Sequence, residues 1–318
     1  MIGVLDIGTS KTVCLIAAPA NSRAGGRWRR EGACVLGFGH RPSRGLKAGV
    51  VIDLDGAEHA LRGAVTQAEQ MAGETVEDVF VAVTCGRLKS TTFEAETGIE
   101  DRVVSAADTD RLVAAGRRYA QRDGHALLHL NHIAYRVDGA GGAANPCGMA
   151  GTVLAADLHA VTVEDAPLRN LLHVVERAYL LPAGIVPAPY ASGLAATTEE
   201  ERRLGATCID MGAGTTSLSM FADGQLVSIA TVAIGGHHVT FDIARALSVP
   251  FGEAERIKTA HGTLERASSD DHEMVADDLA GERRGVLYET TRGDLYEIMA
   301  GRISDLLAQV FERIELCV

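Results

Sequence analysis

A chain of 318 residues with 47% hydrophobic content can bury two or three cores, and 35 glycines beside 4% aromatics suit an α/β protein rich in tight turns. Its formal charge of −12 repels phosphate backbones, which argues against nucleic acid as a partner, and opposes adsorption to anionic lipid unless a separate basic segment supplies the attraction. Asp6 interrupts the apolar opening, there is no basic leader, and no apolar run nears the ~20 residues of a membrane span, so the expectation is a soluble cytoplasmic chain.

Gly3 to Ile7 is apolar and β-rich, Gly8-Thr9-Ser10 supplies a turn, and Thr12 to Ala17 resumes strand character. Asn21 to Arg30 reads as a loop, Cys34 to Gly39 as a strand, and Arg41 to Gly49 as turn-rich. Between Asp53 and Met71, Leu54, Ala57, Leu61, Ala64, Val65 and Ala68 recur at helical spacing, and Val79 to Val83 is a buried strand. From Gly86 to His159 short strands and polar loops surround one helix, Ala106 to Arg122, with Ser105 as N-cap. That block reads as a small insertion, after which Leu158 to Val163 restores a core strand and Pro167 to Tyr179 a helix. Glu199 to Arg203 reads as an exposed connector. A second cycle begins near Thr207: a strand ending at Met211, a turn over 212–216, a strand to Phe221, an Asp223-Gly224 hairpin turn and a returning strand. Ile234-Gly235-Gly236 opens a helix through Leu247, Glu265 to Arg284 reads as an acidic exposed excursion, and a long helical pattern fills Leu295 to Leu316.

The chemistry lies in an internal echo. Val4 to Ser10 and Cys208 to Thr216 each place an Asp at the end of an apolar strand, then a Gly-rich turn with hydroxyls, then a second strand. Glycines let backbone N–H groups approach an anion, Ser and Thr hydroxyls add donors, and an adjacent Asp holds Mg²⁺ through water. Two such turns brought face to face would grip a nucleoside triphosphate from both sides. Neither is a Walker loop, and no G-x-G-x-x-G opens a helix.

Leu5 to Lys11 and Asp210 to Thr216 resemble the two phosphate motifs of the actin-like ATPase superfamily, as written in the FtsA cell-division family. The similarity continues through Ile234 to Ala244, through Ala254 to Gly262, and in the insertion at Val137-Asp138-Gly139 and Asn145 to Gly151. The resemblance implies an α/β, actin-like (duplicated ribonuclease-H-like) ATPase fold with an FtsA-type inserted subdomain. Residues 1–85 and 160–198 would form the first domain, 86–159 the insertion, 199–235 and 296–318 the second-domain core, and 236–295 its upper lobe.

ATP and Mg²⁺ are the implied ligands. Asp6 and Asp210 would sit near the metal. Gly8, Thr9, Ser10, Gly212, Ala213, Gly214, Thr215 and Thr216 would surround the phosphates, with Gly235 and Gly236 bordering the nucleotide. Lys11 reads either as a phosphate neutraliser or as a solvated strand-end lysine. Glu255 and Lys258 match an A-E-x-x-K helix that touches ribose and adenine in relatives, or else form an ordinary exposed pair near i,i+4 spacing.

Two departures temper the comparison. Ala188 stands where several actin-fold ATPases place an acid, so the expectation is weak hydrolysis or none. The chain also stops in or just after the last helix, before the family's third Gly-rich segment, its linker and its basic amphipathic membrane helix. The second domain is therefore expected to be incomplete, with inner-membrane attachment depending on a helix outside this chain.

The resemblance implies an adaptor that polymerises into filaments and links the FtsZ-type tubulin-like division protein to the inner membrane, meeting other divisome proteins through the insertion. The alternatives are an actin-fold adaptor of pilus assembly and a true actin-fold ATPase or phosphotransferase. His129, His132, His237 and His238 lack ligand-spaced partners and read as structural. Arg111, Arg117, Arg118 and Arg122 read as a solvated stripe, and the six cysteines, which lack C-x-x-C spacing, as small buried hydrophobes.

Overall fold

The computed structural model describes residues 1–19, 28–30, 33–85, 87–121, 124–143, 145–275 and 290–316. From the N-terminus run β1 (Ile2–Ile7), β2 (Lys11–Pro19), β3 (Trp28–Arg30), β4 (Ala33–Pro42), the two-residue β5 (Leu46–Lys47) and β6 (Val50–Val51), α1 (Leu54–Ala72) and β7 (Asp78–Val83). Next come β8 (Lys89–Gly98), α2 (Ala106–Ala120), β9 (His125–Val137), β10 (Ala140–Ala143), β11 (Val153–Glu164), α3 (Asp165–Arg177), β12 (Leu181–Pro187), α4 (Ala188–Ala196) and α5 (Glu199–Leu204). The chain continues through β13 (Ala206–Met211), β14 (Thr216–Ala222), β15 (Gln225–Val232), α6 (Gly236–Leu247), α7 (Phe251–His261) and α8 (Arg292–Glu315). Two compact units result: Met1–Asp210 with Ser217–Thr231, and Met211–Thr216 with Val232–Val318.

The first unit is built on a six-stranded sheet in the order β12-β7-β1-β2-β4-β3. β1 pairs antiparallel with β2 and parallel with β7, so Asp6 lies opposite Val13 on one side and Ala82 on the other. Helix α1 starts at Asp53, whose carboxylate accepts from the amides of Asp55 and Gly56, and ends at Gly73 with φ 72°. Its buried stripe, Ala57, Ala60, Leu61, Ala64, Val65 and Ala68, has the i,i+3/i+4 spacing of one helix face. Small residues on both sides bring this helix close to β4. A Cβ on Gly39 would lie 1.8 Å from the Ala64 carbonyl oxygen, and one on Gly37 would lie 2.1 Å from that of Ala68.

The insertion has its own four-stranded sheet, β10-β9-β11-β8, covered by α2. A capping box between Ser105 and Asp108 opens that helix, and Leu112, Tyr135, Val137, Leu154 and Leu158 form a separate core. β13, β14 and β15 make a three-stranded sheet in that order. Positive φ at both Asp223 (52°) and Gly224 (79°) gives the type I′ turn that the Asp-Gly pair predicts.

The second unit packs α6, α7 and α8 around Val239, Ile243, Ala254, Ile257 and Leu295. Arg302 on α8 holds Asp242 on α6 through two hydrogen bonds of 2.6 and 3.1 Å.

Several expectations need correction. Trp28–Arg30 is not loop but a strand paired with β4; residues 21–27 of that predicted loop lie outside the described residues. The insertion's strands are long rather than short, and Leu158 to Val163 is the continuation of β11 in the insertion's sheet. Only the Val161 and Val163 side chains join the first unit's main core. Glu199 to Arg203 buries no residue, as expected of an exposed connector, but is helical, capped reciprocally by Thr198 and Glu201. In the acidic excursion Asp270 and Val275 are buried, while residues 276–284 lie outside the described residues. Cys14, Cys34 and Cys85 are buried as expected, but Cys147 is exposed and Cys208 half-buried; Cys317 and Arg122 fall outside the described residues.

Candidate functional site

The two echoing turns are closed by the same bond. The Gly8 amide donates to the Lys11 carbonyl at 3.0 Å, and the Gly212 amide to the Thr215 carbonyl at 2.9 Å. A Cβ would crowd that acceptor in both, at 3.1 Å for Gly8 and 2.9 Å for Gly212, which explains glycine at the first turn position in each.

In the first unit, neighbouring segments brace the Gly8 to Ser10 turn. The Thr9 hydroxyl accepts from the Gly49 amide (2.9 Å), the Ser10 carbonyl from the Ser43 amide (3.0 Å), and the Thr12 and Ser43 hydroxyls are 2.8 Å apart. Asp6 is the penultimate residue of β1, and the residue is open to solvent. Partial burial of the carboxyl, then the like charge of Asp210, raises its pKa, and Lys11 pulls in the opposite direction. The structure thus brings Asp6, Lys11 and Asp210 within electrostatic reach although Asp210 comes from a distant strand. Asp210 accepts a 2.6 Å hydrogen bond from Ser192 on α4. Ala188 is the first residue of that helix, which approaches β14 closely enough that a Cβ on Gly193 would meet Ser219 Oγ at 2.4 Å.

In the second unit, the Gly212 to Thr216 turn is fastened to the start of α6. The amides of Gly236 and His237 donate to the carbonyls of Gly212 (3.0 Å) and Ala213 (2.8 Å), and the Thr216 hydroxyl donates to the Ile234 carbonyl (2.8 Å). Gly235 is extended, so its backbone asks nothing special. Space is what requires it, because a Cβ would fall 2.5 Å from the Gly212 oxygen and 2.7 Å from that of Ala213. The Gly235 amide donates to His238 Nδ1 at 3.1 Å, which gives that histidine a structural role. Ala213, Gly214 and Thr215 complete the turn.

Glu255 and Lys258 are i,i+3 on α7 and far from a free surface pair. Lys258 Nζ donates to Glu255 Oε2 (2.8 Å), to the Thr240 hydroxyl (2.8 Å) and to the Gly236 carbonyl (3.3 Å). Burial alone would raise the Glu255 pKa, but hydrogen bonds from Lys258 and Thr240 outweigh it and hold the carboxyl below its usual range. Lys258 is thereby tied to the glycine pair that opens α6.

Sequence reasoning missed Ser192, Ser43 and Thr240. The first sits in a small-residue run, and the other two carry no local signal at all. Among the described residues no three His, Cys, Asp or Glu side chains cluster as a metal site. Two hard carboxylates, one of them disfavoured by its neighbour's charge, fit Mg²⁺, which commonly takes only one or two carboxylates and completes its shell with water and phosphate.

The family described as "Cell division protein FtsA" matches residues 207–295, and "SHS2 domain inserted in FTSA" matches residues 85–162. The cell division protein FtsA of Rhizobium meliloti is 40% identical over 319 residues, and that of Agrobacterium fabrum 39% over 318; each alignment covers 99% of this chain and 72% of the relative. Among solved structures, the PilM–PilN type IV pilus biogenesis complex superposes with TM-score 0.64 at 14% identity, covering 98% of this chain and 76% of that one. MreB5 of Spiroplasma citri bound to ADP gives 0.51 at 15%, covering 99% and 78%. These likenesses establish the fold, an actin-like ATPase fold with an inserted subdomain, and the sequence relatives establish more: the chain belongs to the FtsA family of cell-division proteins.

Proposed function

We propose that this chain is an ATP-binding adaptor of cell division. Nucleotide phosphates would be held by the Gly8 to Lys11 and Gly212 to Thr216 turns together with Gly235 and Gly236. Mg²⁺ would be held by Asp6 and Asp210, with Glu255 and Lys258 toward the nucleoside. The observation that carries the reading is the repeated closure of two glycine turns, each following an aspartate at a strand end, with one aspartate perturbing the other. An actin-fold neighbour bound to ADP supports the ligand class. Family membership supports contact with the division machinery. On this reading residues 236–295 form the lobe that meets an FtsZ-type tubulin-like filament, residues 86–159 meet other divisome proteins, and copies of the chain assemble into filaments.

Thermal unfolding with and without Mg-ATP tests the site. Saturating ligand, at about a hundred times Kd, should stabilise the protein by about 2.7 kcal/mol, and Asp210→Ala should abolish most of that gain. Equal stabilisation of wild type and Asp210→Ala would remove this carboxylate from the proposed metal site.

A further inference from the structure

Away from both turns, the first unit carries an open cleft of about 380 Å³ where the end of β4 runs beside α1. Arg41 and Arg44 line it from the strand side; His59, Arg62, Gly63 and Thr66 line it from the helix. In a chain with a net charge of −12, this is a local reversal of sign.

The arginines differ in how far their charges are already used. Arg62 pairs with Glu58 at 2.9 Å and donates to the Arg177 carbonyl at 2.7 Å, while Arg177 itself holds Asp55 and Glu58, both at 2.6 Å. Asp53 is engaged in capping α1. Arg41, by contrast, donates among the described residues only to neutral acceptors, Gln67 Oε1 at 3.2 Å and the His40 carbonyl at 3.4 Å. Arg44 makes no hydrogen bond or ion pair among the described residues. Two guanidiniums therefore stand on one wall without a carboxylate partner among the described residues.

Two further features shape the face. Gly63 lies in the middle of α1, where glycine is about 1 kcal/mol worse than alanine. A Cβ there would sit 3.0 Å from Arg41 Nε and 3.2 Å from its Cγ, so the glycine leaves room for the Arg41 side chain against the helix. Against Arg62, Tyr179 follows α3 with φ 62°, in the left-handed region where glycine usually closes a helix. Holding a tyrosine in that conformation costs on the order of 1 kcal/mol. The residue is 83% exposed, with the Arg62 guanidinium 5.1 Å from the ring centroid. A strained, solvent-facing tyrosine against Arg62, which shares the cleft with Arg41 and Arg44, has the composition of an interface anchor, not of a solvated helix end.

We propose that this face docks an acidic peptide segment of a partner protein, its carboxylates on Arg41 and Arg44 and an apolar or aromatic side chain against Tyr179. The tyrosine decides the class of ligand. A free phosphate or a lipid headgroup would use the guanidiniums and gain nothing from the ring, whereas a peptide uses both.

The probe is a fluorescein-labelled octapeptide of glutamates with two phenylalanines, and its Gln-for-Glu counterpart is the control, both followed by anisotropy on the full chain. Arg44→Glu, which removes no internal bond, should weaken binding by about tenfold or more. Tyr179→Gly should weaken it severalfold while melting at or above the wild-type temperature, because glycine relieves the strain. That pairing separates lost docking from lost folding, and neither substitution touches the proposed nucleotide residues. The proposal is overturned if both variants bind like wild type, or if the Gln counterpart binds equally well. It is also overturned if inorganic phosphate displaces the peptide where chloride of equal ionic strength does not, or if phosphatidylglycerol vesicles bind through Arg44 and the peptide does not.

Discussion

His159 is fully enclosed, yet it belongs to a chain of polar groups that begins and ends on one strand. The Ile229 amide donates to Ser90 Oγ (3.1 Å), which lies 2.6 Å from His159 Nε2; Nδ1 lies 3.2 Å from Asn131 Oδ1, and Asn131 Nδ2 donates to the Leu226 carbonyl (3.0 Å). An amide at one end can only donate and a carbonyl at the other can only accept. The Asn131 end fixes one direction: with Nδ2 given to the Leu226 carbonyl, Oδ1 accepts from Nδ1–H, and a neutral imidazole then leaves Nε2 to accept from Ser90. Burial first, and then His129, push the His159 pKa down to about 4. Because the folded value lies below the unfolded ~6.5, the unfolded chain takes up the proton first, and stability falls as pH drops from ~6.5 toward ~4. By about pH 5 this one group should have cost the native state about 2 kcal/mol, to order of magnitude. Urea midpoints at neutral pH and near pH 5 check it: His159→Gln should show a clearly shallower loss than wild type, and equal losses would mean that the folded imidazole titrates no lower than the unfolded one.

At the scale of elements, the seam between α1 and β4 rests on glycines whose need is spatial. Gly39→Ala would push a Cβ to 1.8 Å from the Ala64 carbonyl oxygen, a fixed backbone atom, so the helix must move away. The expected loss is about 3 kcal/mol or more. Gly98→Ala at the end of β8 meets nothing within 4 Å and should change stability by no more than about 0.5 kcal/mol. A chemical denaturation comparison of the two variants reads the difference, and near-equal midpoints would disprove the close seam. The same contrast explains what could be read from sequence. α1 and α2 were legible because periodicity and the caps at Asp53 and Ser105 are local. The partner of β11 was not, since an apolar run from Leu158 to Val163 suits either sheet, and only pairing with β8 and β9 assigns it. β3 was missed because Trp28–Arg30 becomes a strand only by pairing with β4.

At the scale of the molecule, the echo of Asp6 and Asp210 was legible because duplication writes the same turn twice. The bonds that fasten each turn were not, since Ser43, Ser192 and Thr240 act across long sequence separations. This matters for what ATP would do here. The side chain of Ala188, at the head of α4, has no lone pair with which to orient or deprotonate water, so on the proposed reading hydrolysis would need another residue. If the proposed nucleotide site is correct, ATP should then act as a ligand that persists: binding energy stabilises the loaded conformation without being discharged by turnover. Incubation of the purified chain with Mg-ATP, with nucleotide identity followed by chromatography and free phosphate followed in parallel, should show bound ATP outlasting many binding cycles. Phosphate release should not exceed that of Asp210→Ala. Steady release from wild type that disappears in Asp210→Ala would instead place a catalytic water under another residue's control and make the chain a working ATPase.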